Sequence, residues 1–201
     1  QFGPQSSING VVIQGGTIPD APLTLQGDGT DEDLTGGGAD DTISGGGGND
    51  TIDGGAGDDE IAGHFGADCL DGGEGEDWLN LTDWIGSYVN LGTNEVWGGV
   101  AEGDTIQGFE HVIGTGGDDT LLGSSGDNSI SGSDGNDWIF GGDGDDSMIA
   151  GNGDDTIVAS SGRDTLDGQN GSDWADYSAD TEGMRLWVHN TEQFGGLAEG
   201  D

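Results

Sequence analysis

Lysine is absent from this sequence, and the only arginines are Arg163 and Arg185. Against these two stand 41 acidic residues, which give the 201-residue chain a formal net charge of −39. A chain of this charge repels nucleic acid and anionic membranes, so we exclude both as partners. Because so few basic side chains are available for ion pairs, the counterions must come from solution.

Apolar residues and cysteine are also scarce. Hydrophobic residues make up 30% of the chain, too few for a conventional core of this size, and no window reaches 18 apolar residues, which argues against a membrane span. The single cysteine, Cys69, excludes an internal disulfide. Composition alone is therefore typical of a solvated, disordered chain.

Sequence signatures of common catalytic sites are missing as well. The chain has no H-E-x-x-H, no G-x-S-x-G and no Cys/His pair, and without lysine it has no P-loop. The three histidines, His64, His111 and His189, are isolated from one another in the sequence. We expect no catalysis by this chain.

What the sequence does contain is a nine-residue period. Residues 114–176 read GTGGDDTLL, GSSGDNSIS, GSDGNDWIF, GGDGDDSMI, AGNGDDTIV, ASSGRDTLD and GQNGSDWAD, with glycine always fourth, Asp or Asn sixth and an apolar residue eighth. Residues 27–80 hold six further units, of which the first two are degenerate. Disorder has no reason to keep glycine and aspartate in phase over such a length, so the period indicates a repeat fold.

Each unit divides into a loop and a strand. Glycines allow the first six residues to turn tightly, and the last three form a strand whose eighth residue points inward while the seventh and ninth point outward. Two units make one turn of a flattened coil, with turns about 4.8 Å apart and two parallel sheets facing each other. We predict an all-β, right-handed parallel β-roll with two nonapeptide blocks and inserted short-strand segments.

The phrase resembles the G-G-x-G-x-D-x-U-x nonapeptide of the RTX calcium-binding proteins of Gram-negative bacteria. The resemblance covers more than half of the chain and implies the parallel β-roll. It also implies type I secretion, and hence a secreted protein at the bacterial cell surface or in the matrix.

Five segments follow from the period. Residues 1–26 form an N-terminal extended segment, 27–80 the first block, 81–113 a non-repeat β insert, 114–176 the second block and 177–201 a second, incomplete insert. In the first insert we predict strands at Leu79–Leu81, Ser87–Leu91 and Asn94–Trp97. The two inserts end alike, in GGVAEGD and GGLAEGD.

The sixth-position carboxylates make calcium necessary. Stacked one turn apart, the carboxylates repel each other. A hard dication that binds six to eight oxygens turns this repulsion into a net attraction, so folding and calcium binding should be one event. The predicted carboxylate ligands are Asp41, Asp50, Asp59, Asp68, Asp77, Asp119, Asp137, Asp146, Asp155, Asp164 and Asp173. The predicted carbonyl ligands come from loop glycines, Gly48, Gly57, Gly117, Gly135, Gly144 and Gly153.

If each ion needs the loops of repeats n and n+2, the two blocks hold about nine Ca²⁺. Asn128 is neutral and Glu32 is longer than Asp, so sites that use them should be weaker. Without calcium we expect the chain to be disordered.

Three outward-facing tryptophans suggest a partner. Trp78, Trp138 and Trp174 occupy position seven, and such a row could stack on sugar rings of a polysaccharide. Alternatively, insert residues cover Trp78 and Trp174, which leaves Trp138 as the contact residue. The remaining tryptophans are expected in small insert cores: Trp84, Trp97 and Trp187.

Two functions remain open. The chain is either a structural or assembly element of the cell surface, or a non-catalytic C-terminal module of a secreted protease, lipase or alginate-modifying enzyme. Ser7 to Ile13 resembles the strand residues that follow GGVAEGD, so one chain could supply the strand that continues its neighbour. Such a contact would give head-to-tail self-association and a fibre.

Overall fold

The computed structural model describes residues 21–83 and 85–178, together with the backbone of residues 7–9 and 185–187. These residues form short strands and one three-residue 3-10 helix, Gly99–Ala101. In chain order the strands are β1 Ser7–Asn9, β2 Thr24–Gln26, β3 Asp33–Gly37, β4 Thr42–Gly47, β5 Thr51–Ala56, β6 Glu60–Phe65, β7 Cys69–Glu74, β8 Trp78–Asn80, β9 Tyr88–Asn90, β10 Glu95–Trp97, β11 Thr105–Gln107, β12 His111–Ile113, β13 Thr120–Leu122, β14 Ser129–Asp134, β15 Trp138–Phe140, β16 Ser147–Asn152, β17 Thr156–Val158, β18 Thr165–Asn170, β19 Trp174–Asp176 and β20 Arg185–Trp187.

The chain divides into two compact units, the first made from Gln1–Leu81 and Val100–Phe109. It contains two parallel sheets, sheet I with the order β1-β2-β4-β6-β8 and sheet II with the order β3-β5-β7-β11. From β2 to β8 consecutive strands alternate between the sheets, and partners within a sheet are 18 residues apart, as in Ile43 opposite Ile61. The pairs at the two ends differ, because Ser7 of β1 lies opposite Thr24 and Thr105 of β11 lies opposite Cys69. Two nonapeptides therefore make one turn.

The second unit is made from Thr82–Gly99 and Glu110–Asp201. Its sheet III has the order β12-β14-β16-β18-β20 and is parallel, and its sheet IV has the order β10-β9-β13-β15-β17-β19. Sheet IV is parallel except at its edge, where β9 and β10 form an antiparallel hairpin. The predicted all-β parallel roll is confirmed.

The core is the row of eighth-position side chains, as predicted. In both blocks these residues are buried, and consecutive strands of the paired sheets pack on one another around them. The non-repeat segments continue the row, because Leu25 lies opposite Ile43, Ile106 opposite Leu70 and Val89 opposite Leu121. The strands of the inserts thus act as further turns of the roll.

Several strands are longer than the three residues predicted. β4, β5, β14 and β16 each span six residues and reach through positions one to three of the following loop. This extension requires positive φ at position two, which glycine adopts freely but His64, Ser133 and Gln169 also adopt. The strands β13, β15, β17 and β19 of sheet IV keep the predicted length.

The first insert contributes to both units. Its strands β9 and β10, and β8 directly before it, lie within one residue of the predicted strands, and β11 and β12 follow them in the insert. Of the segment Ser7 to Ile13, β1 is described and pairs in parallel with β2. The rest of that segment and the closing GGLAEGD lie outside the described residues. Within the described ranges, no helix is long and apolar enough to cross a membrane.

Trp174 is 47% exposed, and most of the second insert, which the alternative places over it, lies outside the described residues. One expectation about tryptophan is wrong. Trp97 is 56% exposed and does not fill an insert core, because it lies on the outer side of the edge strand β10, where its ring stacks on Tyr88. Trp78 is half-buried on β8 of sheet I, whereas Trp138 lies on sheet IV and is 38% exposed. The side chains of Trp84 and Trp187 lie outside the described residues.

Truncation of one inward residue should destabilise the roll. For Ile157→Ala, whose side chain is fully buried, we expect a loss of about 2–4 kcal/mol in the free energy of unfolding in calcium. The control is Ile149→Ala, at an outward position 38% exposed, where the change should stay within about 0.5 kcal/mol. Urea unfolding measures both, and equal losses would contradict the assignment of the core.

Candidate calcium-binding loops

The sixth-position carboxylates are buried at the end of each loop, immediately before a strand begins. Within the blocks, Oδ1 accepts a hydrogen bond from the main-chain N–H of the sixth residue one turn earlier, and at the start of the ladders Asp41 and Asp119 accept from the N–H groups of Leu23 and Ser87 instead. The Asp119 N–H donates to Oδ1 of Asp137 at 2.9 Å, and the Asp137 N–H donates to Oδ1 of Asp155 at 2.8 Å. The structure therefore brings the predicted aspartates together as ladders.

Each unit has two such ladders. In the first unit one comprises Asp41, Asp59 and Asp77, and the other Asp50, Asp68 and Asp104. In the second unit one comprises Asp119, Asp137, Asp155 and Asp173, and the other Asn128, Asp146 and Asp164. All the predicted carboxylate ligands occupy rungs of these ladders.

The second carboxylate oxygen is the unusual feature. In several aspartates Oδ2 is fully buried and has no hydrogen-bond partner in the part of the chain that the structure describes. They are Asp50, Asp59, Asp68, Asp137, Asp146 and Asp155. A buried anionic oxygen without a donor or a cation is costly.

The first-position glycines let these oxygens lie close against the loop backbone. A Cβ added at the first-position glycine, such as Gly45 or Gly132, would overlap Oδ2 of the same repeat's Asp50 or Asp137. Each Oδ2 thus points into its own loop, among main-chain groups. Oxygen ligands of this kind suit a hard dication such as Ca²⁺.

The predicted carbonyl ligands face the next turn. A Cβ on Gly135 would overlap the carbonyl oxygen of Gly117, and one on Gly153 would overlap that of Gly135. Similarly, the carbonyl oxygen of Gly57 faces Gly75, and that of Gly144 faces Gly162. The same holds for the carbonyl oxygen of Gly48, which faces Gly66. These oxygens lie between successive loops, on the axis along which the turns stack.

No described group of three His, Cys, Asp or Glu side chains converges as a metal site. The arrangement differs from such a cluster, because each loop offers one buried carboxylate and several carbonyl oxygens. The residues present fit a calcium ion that is shared between loops rather than held by one cluster of side chains.

Burial dominates the electrostatics of the ladders. Desolvation, opposed by the ladder hydrogen bond and reinforced by neighbouring aspartates, raises the pKa of Asp137 to about 7. The same causes raise the pKa of Asp146 to about 7 and that of Asp155 to about 6. Arg163 does not offset this charge, because it pairs with the exposed Asp145 at 2.9 Å on the surface.

Two residues at position six are not aspartate, and hydrogen bonds within the protein satisfy their side-chain oxygens without a cation. Asn128 accepts a hydrogen bond from the Ser124 N–H at 2.6 Å through Oδ1 and donates through Nδ2 to the Glu110 carbonyl at 2.7 Å. Glu32 reaches back to accept from Asp28 and Thr30 of its own loop. Both observations agree with weaker sites there, which remains a prediction.

One rung of a ladder, Asp104, was not predicted from the sequence. Asp104 accepts a hydrogen bond from the Asp68 N–H at 2.8 Å, although 36 residues rather than 18 separate the two. The strand after it, β11, pairs with β7. The signal was available, since Asp104-Thr105-Ile106 repeats the D-T-I of Asp41, Asp50 and Asp155.

A second ladder at position five was also missed. Here the side chain accepts from the N–H one turn later, the opposite direction to position six. Asn136 donates in this way to Asp118 at 2.8 Å, and Asp145 to Asp127 at 2.8 Å. The frequent Asp or Asn at position five was the signal.

Fold and loops together define a calcium-binding parallel β-roll. A sequence model of the RTX calcium-binding nonapeptide repeat matches the chain in four copies, at residues 26–61, 45–79, 113–148 and 149–180. The chain belongs to the family of RTX calcium-binding repeat proteins. No curated protein matches it.

Loop geometry predicts which fourth-position glycines resist substitution. Gly135 has φ of 118°, and a Cβ there would overlap the Gly117 carbonyl, so Gly135→Ala should destabilise the calcium-bound chain by about 2 kcal/mol or more. Gly126, at the same position of the preceding repeat, has its nearest contact at 3.9 Å, so Gly126→Ala is the matched control. Thermal unfolding in calcium measures both, and equal shifts would contradict the loop geometry.

The raised pKa values predict that low pH stabilises the calcium-free roll against unfolding. Asp is ionised in the unfolded chain above about pH 4, whereas the buried carboxyls hold their protons to about pH 6–7. The stability of the calcium-free roll should therefore fall as the pH rises from about 4 to about 7. Far-UV circular dichroism in EGTA should show more strand near pH 4.5 than near pH 7.5.

The test variant for this experiment is Asp146→Asn, which removes one of the titrating groups and should weaken the pH dependence of the strand signal. Asp143→Asn, at an exposed position of the same repeat, changes the net charge equally and should leave the dependence nearly intact. A strand signal that does not change with pH in EGTA would count against the buried carboxyls as the cause.

Proposed function

We propose that this chain is an extracellular structural protein whose β-roll forms as calcium enters the loops. The observation that carries the proposal is the set of buried, partnerless Oδ2 atoms in a chain of charge −39. A dication at these oxygens supplies the missing partner and offsets the repulsion between rungs. Calcium at extracellular, millimolar concentration suits sites of this kind.

Each ion would lie between the loops of adjacent rungs. The sixth-position carboxylates of both rungs and the fourth-position carbonyls between them are the proposed ligands. Asp68 and Asp104 extend this scheme beyond the nonapeptides, because their main chain and side chain form the same rung contact. With about nine ions in all, the bound calcium would cancel much of the net charge.

Assembly is the second part of the proposal. A roll whose end strand has an unpaired edge can accept a further strand from a neighbour, which gives a head-to-tail fibre. A calcium-folded roll could equally serve as the non-catalytic module of a secreted enzyme. A reading frame that continues upstream of Gln1 with a catalytic domain would favour the module.

The direct test is a calcium titration of folding. Asp146→Asn keeps an oxygen for the Asn128 N–H but removes the charge and the buried Oδ2, so the calcium concentration at the folding midpoint should rise by about tenfold or more. Asp143→Asn, with the same charge change at an exposed loop position, should leave the midpoint almost unchanged. Circular dichroism gives the midpoint, and calorimetry the number of ions.

Two results would contradict the proposal. The first is a chain that is equally rich in strand with millimolar calcium and with excess EGTA. The second is an equal shift of the midpoint in the two variants, which would mean that calcium acts through net charge rather than through the buried position-six carboxylates.

A further inference from the structure

The outer face of sheet IV carries an unbroken row of outward residues that is rich in aromatic side chains, and the sequence alone does not show this alignment. Strand register places the outward residue of each strand directly opposite that of the next, across the whole sheet. From β10 to β19 the row consists of Trp97, Tyr88, Thr120, Trp138, Thr156 and Trp174. Aromatic residues thus alternate with threonine over the parallel part of the sheet.

The rings are exposed and held in defined orientations. Trp97 stacks on Tyr88 with ring centroids 4.9 Å apart and planes 11° from parallel. Trp138 and Phe140, two residues apart on β15, lie with centroids 6.2 Å apart and planes 7° from parallel. Because Trp97 and Trp138 are each supported by a neighbouring ring, binding a ligand on them costs little side-chain entropy.

The second outward row of sheet IV is apolar at its centre. From β10 to β19 it consists of Glu95, Asn90, Leu122, Phe140, Val158 and Asp176. The corresponding position-seven row of sheet III is Ser129, Ser147 and Thr165. Between Glu95 and Asp176 the outer face of sheet IV therefore presents an uncharged strip on a protein whose net charge is −39.

The size of the strip decides what it can bind. Six strands at a spacing of about 4.8 Å give a length of about 24 Å, and strands of three residues give a width of about 7 Å. The resulting footprint of about 170 Å² is small beside the roughly 800 Å² of accessible surface that each partner buries in a stable protein interface. A second copy of this chain would also bring its own negative charge to the contact, about −21 with the proposed nine Ca²⁺ bound.

We propose that the outer face of sheet IV binds a linear, uncharged polysaccharide. Sugar rings have an apolar C–H face that packs on an aromatic ring, and the hydroxyls of Thr120 and Thr156 lie between the rings to exchange hydrogen bonds with sugar hydroxyls. Aromatic residues on every second strand, about 9.6 Å apart, match a chain of repeating units better than a compact ligand. The net charge disfavours acidic polysaccharides.

This inference rests on the proposed calcium-dependent fold, because the row exists only while the strands of sheet IV are paired. The probes are suspensions of cellulose and of chitin, with calcium alginate gel as the acidic comparison. In millimolar calcium the wild-type chain should sediment with at least one of the two neutral polymers, and not with alginate. In EGTA this binding should disappear together with the strand signal.

The variants separate the row from the fold. Trp138→Ala and Trp174→Ala should each weaken binding by about tenfold, the effect of removing one stacking contact. Trp78→Ala, at the same repeat position but on sheet I, is the matched control and should bind as the wild type does. Circular dichroism in calcium should show all three folded, and Trp138→Tyr should restore most of the affinity if Trp138→Ala does not fold.

Three outcomes would overturn the inference. One is a wild-type chain that folds with calcium but sediments with neither neutral polymer, and another is equal loss of binding in the control variant. The third is a calcium-dependent dimer in analytical ultracentrifugation that Trp138→Ala or Trp174→Ala dissociates, which would assign the strip to a protein contact. Failure to fold with calcium in the wild type would instead contradict the proposed function.

Discussion

The structure depends on aspartates that are buried one above another, while Arg163, the one arginine whose side chain is described, pairs with Asp145 at the surface. Two unit charges about 4.8 Å apart repel by about 3.5 kcal/mol at an effective dielectric of 20. The single buried Ile or Leu of each repeat contributes only about 1.5–3 kcal/mol. Under the proposed function, an ion between the rungs would decide whether the roll or the unfolded chain is favoured, and folding and calcium binding would form one equilibrium.

Hydrogen bonds along the stack give each turn two opposite links to its neighbours. At position six the later turn supplies the acceptor, as Asp137 does for the Asp119 N–H, and at position five the earlier turn supplies it, as Asp118 does for the Asn136 N–H. Both links join residues 18 apart, and neither reaches further than one turn. Stability is thus built from nearest-neighbour contacts, so a rung that is predicted to be weak, such as Asn128, would be supported by the turns on either side.

The nine-residue period was sufficient to predict the strands, the inward residue and the pairing of repeat n with repeat n+2, because each depends on the residue type at a single position. It could not place Asp104 on a ladder, since the hairpin of β9 and β10 doubles the spacing from Asp68 to 36 residues. It also could not join Tyr88 and Trp97 to the row of Trp138. That alignment depends on an antiparallel pairing that no period encodes.

The repeat separates three tasks by position. The first six residues form the loop, with its proposed cation, and the eighth fills the core, which leaves the seventh and ninth free of both tasks. Serine or threonine at position seven suffices for the fold, as Ser129, Ser147 and Thr165 show on sheet III. The aromatic rings of sheet IV are not needed for the core and expose apolar surface to water. The chemistry of an outer face can therefore change from sheet to sheet while the calcium loops beneath it stay the same.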